Sequence, residues 1–148
     1  EDVGVEFVDT VYNNMPVIED ETLKAKANEI IERDGFILYP SVLPDGYEVS
    51  GIDISKKNQI IFKNEDAELN ISYYPNIETS IFNDSDNSKN TEVLVNGQDA
   101  VFRESQGKKE LYLTYEKYQI RLFVVDESMN LSDIIDFAEK IKKFYKIF

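Results

Sequence analysis

The residues of this chain that could do chemistry are its carboxylates, because histidine and cysteine are both absent. Without imidazole the chain lacks the usual general base near neutral pH and the commonest zinc ligand. Without a thiol it has no cysteine nucleophile, disulfide or thiolate metal site. Ser-His-Asp, Cys-His, zincin and facial-triad sites are therefore excluded. Two carboxylate groups remain, Glu65/Asp66/Glu68 and Asp126/Glu127. Such pairs do acid–base work only if their surroundings split their pKa values. Both fall in predicted turns, where solvent keeps carboxyl groups ordinary. Asp84-x-Asp86-x-Ser88 starts like a calcium loop, but Lys89 stands where the loop needs Gly and Val95 where it needs Glu. The EF-hand pattern fails, which leaves a weak, irregular Ca²⁺ site or a solvated loop. The six glycines form no phosphate-binding loop. No cofactor, no metal and no catalytic residue is assigned.

A different chemistry is recognition. Tyr112, Thr114, Gln119 and Arg121 project from one side of a predicted hairpin, with Tyr112 opposite Arg121 and Thr114 opposite Gln119. A guanidinium over a phenol ring is a cation–π pair. These four residues are the candidate face for a protein partner or a small ligand.

The elements that position this face are strands. Asn96-Gly97 lies between two apolar runs and predicts a two-residue type I′ turn, which needs positive φ at both positions. It sets Val95 opposite Gln98, Val93 opposite Ala100 and Thr91 opposite Phe102. Folding KELYLTYEKYQIRLFVV about Glu116-Lys117 sets Tyr115 opposite Tyr118, Leu113 opposite Ile120 and Leu111 opposite Leu122, an apolar face backed by a polar one. That alternation predicts a sheet with one face on a core and the other towards solvent. Glu-Lys is a poor I′ sequence, which leaves open a loop longer than two residues there. Gly107 turns the chain between the two hairpins.

Upstream, ETLKAKANEIIERDG has Leu23, Ala27, Ile30 and Ile31 on one helical face, Asp20 or Thr22 at its start and Gly35 at its end. Pro40 and Pro44 force extended backbone before them. A strand interrupted at Gly51 follows, then a hairpin through Glu65-Asp66. Residues 76–90 read as a long polar loop. The chain closes on a predicted helix over Leu131–Phe148, with Asn130 and Asp133 as a capping box and lysines at its far end.

Composition bounds the function. The chain has 148 residues, enough for one stable domain. A net charge of −13 disfavours nucleic acid and anionic lipid as partners. No apolar run reaches the roughly 18–20 residues of a membrane span. With neither initiator Met nor signal peptide, it reads as a mature or trimmed ectodomain, with membrane association only through an N-terminal anchor absent here.

Four stretches occur in a telling order: LPDGYEV at 43–49, EVLVNGQDAVFRE at 92–104, KELYLTYEKYQIRLF at 109–123 and LSDIIDFAEKI at 131–141. Together they resemble the bacterial family known as domain of unknown function 4367, whose pattern runs from a Leu-Pro-Glu-Gly-Tyr start through a Val-Asn-Gly hairpin to a final helix. The chain departs from it in Asp45 for Glu and in having no Trp, with Tyr115 near that position. The likeness covers roughly residues 38–146. It implies an extracytoplasmic domain of a Gram-positive bacterium, carried by a lipoprotein or an anti-sigma-factor-like protein behind a single transmembrane helix. It implies no catalytic residues.

The expected fold is α+β: an antiparallel meander sheet of about six or seven strands, a C-terminal helix packed on one face and an additional N-terminal helix. Residues 1–19 are expected to form an acidic arm or edge strand, and residues 20–148 a single domain. The expected function is sensing or protein interaction outside the membrane, without catalysis. The alternatives are a small-ligand or lipid carrier, and a carboxylate-dependent hydrolase using Asp126 and Glu127 or Asp84 and Asp86.

Overall fold

The computed structural model describes residues 15–74 and 89–147. Helix α1 (Glu21–Asp34) starts where the Asp20 side chain accepts from Leu23 N, and ends at Gly35, whose φ of 91° is left-handed. The Gly35 N–H closes the last turn onto Ile31 O at 2.7 Å. Ala27 and Ile30 are its buried face. Strand β1 (Ile37–Pro40) follows at once, buried at all four positions. Next come β2 (Glu48–Ile54), β3 (Asn58–Asn64) and β4 (Ala67–Tyr73), then β5 (Lys89–Val95), β6 (Gln98–Ser105), β7 (Lys108–Tyr115) and β8 (Tyr118–Val125). Helix α2 (Leu131–Ala138) and strand β9 (Ile141–Phe144) complete the order.

Seven strands form one sheet in the order β2-β3-β4-β8-β7-β6-β5, and β1 pairs with β9 in a separate two-stranded sheet. Every pairing is antiparallel. The described residues form an α+β fold, with one N-terminal and one C-terminal helix among them. Two-residue turns join β3 to β4, β5 to β6, β6 to β7 and β7 to β8, and three residues join β2 to β3. Glu65, Asn96, Gln106 and Glu116 each take a φ between 51° and 56° at the first turn position. Asn96-Gly97 sets Val95 opposite Gln98 and Val93 opposite Ala100, as its turn type requires. The pairing expected about Glu116-Lys117 is present, with Tyr115 directly opposite Tyr118, so the loop there has two residues. Flanking strands that are already paired hold Glu116 in the left-handed region despite its side chain. In β2 the register slips between Val49 and Gly51, so Ser50 is the extra residue of a bulge.

The core lies on one face of the large sheet. Ile60, Phe62, Leu69, Ile71, Leu111 and Leu122 are all fully buried there. The Tyr39 ring of β1 meets Phe62 edge-on at 5.4 Å. Helix α1 contacts β1 and β2, and α2 contacts β5. Ile18, ahead of α1, also belongs to the core, as does Met15. No described helix is long and apolar enough to cross a membrane.

The expected C-terminal helix over Leu131–Phe148 is corrected. It ends at Ala138, and Ile141–Phe144 is a strand. The reason lies in β1. Its buried backbone needs hydrogen-bond partners, because an unpaired buried amide costs as much as a lost bond. Strand β9 supplies them, with Ile37 opposite Phe144 and Pro40 opposite Ile141. Lys143, expected to complement a helix dipole, instead lies 4.5 Å over the Phe36 ring and 2.8 Å from Glu116.

A second tie holds β1 to the sheet. Leu38 N donates to the buried Tyr73 hydroxyl at 3.0 Å. Beside it Asn58 accepts from Arg33 Nη2 at 2.7 Å and donates to Asp34 at 3.1 Å, linking the end of α1 to β3. Replacing Tyr73 by Phe leaves the Leu38 N–H without its acceptor. A loss of about 2 kcal/mol is expected in urea denaturation, with the midpoint lowered and the slope unchanged.

Candidate functional site

The far face of the sheet carries rows of paired side chains. One row runs Asn90, Arg103, Glu110, Phe123, Asn70 across five strands. The next runs Val101, Tyr112, Arg121, Ser72, Gln59. Tyr112 is opposite Arg121 and Thr114 opposite Gln119, so the four sequence-selected residues do share this face.

Their contacts differ from those expected. The guanidinium over the Tyr112 ring belongs to Arg103, at 5.3 Å. Arg121 lies over Phe123, at 5.1 Å, and bonds to Glu110, with its Nε 2.8 Å from Oε2. Strand register explains this: Glu110 is the diagonal neighbour of Arg121, within reach of a long side chain. A carboxylate attracts a guanidinium more strongly than a ring does. The Tyr112 hydroxyl completes the group, 3.5 Å from Glu110 Oε1. Arg103 Nε donates to Asn90 at 3.1 Å. Burial lowers the Arg121 pKa, but the Glu110 hydrogen bond and charge outweigh it, so the net shift is upward.

This face is not the open solvent surface that alternation suggested. Arg103 is 4% exposed and Tyr112 9%, and Asn70 and Ser72 are buried as well. Ser72 is small and sits between Gln59 and Arg121, and Tyr112 sits beneath Arg103. Sequence reasoning missed Arg103, Glu110 and Phe123. A signal existed: the turn at Gln106-Gly107 puts Arg103 opposite Glu110.

The carboxylates proposed for hydrolysis are placed otherwise. Asp126 is tied at the exit of β8. It accepts from the Tyr47 hydroxyl at 2.6 Å, and from Ser128 Oγ and N at 2.6 and 2.9 Å. Burial raises its pKa, but the Ser128 and Tyr47 hydrogen bonds, with the Lys109 charge, bring it below the ordinary carboxyl value. Glu127 and the turn residues Glu65 and Asp66 are exposed. Asp84, Asp86 and Ser88 lie outside the described residues. Among the described residues no three His, Cys, Asp or Glu side chains cluster to hold a metal ion.

Two clefts lie elsewhere, on either side of Leu43. One, of about 590 Å³, opens between the start of α1 and β2 and is lined by Val17, Glu19, Asp20 and Glu48. The other, of about 280 Å³, lies beside α2 and is lined by Val42, Met129, Asp133 and Phe137. Compared with family models, with curated proteins and with solved structures, the chain matches none.

Arg121→Met and Glu110→Leu are each expected to cost about 1 kcal/mol, because the partner is left half-buried without its counter-charge. The double variant should recover most of that loss, which a double-mutant cycle by chemical denaturation measures. Tyr47→Phe should cost about 1–2 kcal/mol at pH 7. A carboxyl whose folded pKa is depressed stabilises above its unfolded value and loses that stability as pH falls through its folded value. The Tyr47→Phe deficit should therefore shrink as pH falls through the depressed folded pKa of Asp126, where the carboxyl is protonated with or without Tyr47. A deficit that does not change with pH would assign it to packing alone.

Proposed function

We propose that this chain is a non-enzymatic sensing or protein-interaction domain, working outside the cytoplasmic membrane as part of a membrane-anchored bacterial protein. One observation carries the first half of that reading. Among the described residues, the groups displaced from their ordinary pKa all move away from neutrality: Arg33, Arg121 and Lys143 upward, Tyr39, Tyr47 and Tyr73 upward, Asp126 downward. A general acid or base at neutral pH requires the opposite displacement. The charged groups of the far face are likewise engaged with one another, which suits a rigid recognition surface better than a proton-transfer site.

The second half rests on the likeness to domain of unknown function 4367 over residues 38–146. It extends to the finer architecture, in which the last helix covers part of the apolar face of the β5–β8 meander.

The absence of cysteine makes the location testable. A single Glu32→Cys substitution on the exposed side of α1, placed in the full-length protein, should react with a membrane-impermeant maleimide in intact cells. Labelling only after lysis overturns the extracytoplasmic assignment. Photo-crosslinking residues in place of Thr114 and of Val42 should capture a defined envelope protein from at least one position. Capture from neither, together with turnover of a substrate by the purified domain, overturns the interaction reading.

A further inference from the structure

The two clefts that meet at Leu43 have a property the far face of the sheet lacks. Their charge is unbalanced. Their linings hold five carboxylates, Glu19, Asp20, Glu48, Asp133 and Asp136, against one ammonium, Lys140. That ammonium is bound to Asp136 at 2.9 Å. Asp20 and Asp133 are occupied as helix caps. Glu19 and Glu48 have no ion-pair partner among the described residues, and both are exposed.

The same surface displays apolar side chains. Of the four exposed large hydrophobic side chains among the described residues, two are here: Val17 at 66% and Val42 at 55%. Each lines one of the clefts, with Leu43 lining both. Burying such side chains on a partner is favourable in proportion to the apolar area removed from water. A purely apolar occupant would desolvate the rim carboxylates without compensation. An anionic surface or polymer would be repelled by them. A segment with apolar side chains for the floor and lysine or arginine for the rim satisfies both demands.

We infer that the surface on either side of Leu43 docks a basic, amphipathic peptide segment of a partner protein. This rests on the interaction reading above and names the kind of partner. The rim charges attract it and set its register, and the apolar floor holds it.

The test uses the whole domain and a synthetic amphipathic peptide of leucine and lysine, with a glutamate-for-lysine version and a leucine-free oligolysine as companions. Binding is measured by calorimetry at low and moderate salt, and mapped by amide chemical shifts. The leucine–lysine peptide should bind and perturb residues near 17–23, 41–50 and 128–140. Its affinity should fall about tenfold in the E19K/E48K variant. The E32K/E92K variant changes net charge equally at distant exposed positions, and should weaken binding less than about twofold. Val42→Ser should reduce affinity for the leucine–lysine peptide but not for oligolysine. Equal losses in the two charge variants would mean attraction by net charge alone, and would overturn the proposal. So would absence of binding, shifts centred elsewhere, or equal binding of the glutamate peptide. In each case a partner captured from Thr114 would leave the interaction reading standing.

Discussion

The pairing of β4 with β8 is the constraint on which the rest depends. It joins two runs of hairpins, β2 to β4 and β5 to β8, into one seven-stranded sheet. Its register places Leu69 by Val124, Ile71 by Leu122 and Tyr73 by Ile120 on the core face. A slip of one residue would turn every one of these side chains to the opposite face. The same register brings Ser72 beside Arg121 on the far side. Because Tyr73 ends β4, its hydroxyl arrives where Leu38 of β1 can donate to it. Strand β1 is thereby held over the core, fully buried, and its remaining backbone groups require β9. One long-range pairing thus propagates to the C-terminus of the chain.

Electrostatics divide the surface into two kinds of region. On the sheet's far face, guanidinium groups are matched by a carboxylate, an amide and aromatic rings. At the turn after β8, Asp126 is satisfied by Tyr47 and Ser128. Such matched charges contribute to order. Around Leu43, carboxylates outnumber cations and border exposed valines. An acidic chain of net charge −13 has excess carboxylates in many places. Their coincidence with apolar relief is what distinguishes this surface.

Much of the local structure was legible from residues alone. Asn96-Gly97 has few backbone options, and it dictated its hairpin down to the register. Asn130 and Asp133 marked the start of α2 because a capping box is a local exchange of hydrogen bonds. Alternation in β7 and β8 identified the face of Tyr112 and Arg121. The partner of Arg121 was not legible, because Glu110 stands eleven residues away and diagonal to it. The two-residue length of the turn at Glu116 was left open because its conformation is imposed by neighbouring strands rather than favoured by the residue. The clefts were invisible, since Val17, Glu48 and Asp133 come from three separate parts of the chain.

By itself, the sequence determined what is local or compositional: hairpins, caps, an α+β class, an acidic character and the lack of imidazole and thiol chemistry. Tertiary structure alone decided the rest. The segment Ile141–Phe144 has a pattern that suits either helix or strand, with Ile141 and Phe144 both buried in the result. Nothing within it chooses between them. The choice belongs to β1, about a hundred residues earlier, whose buried backbone finds its hydrogen-bond partners in a strand, which a helix, bonded within itself, would not supply.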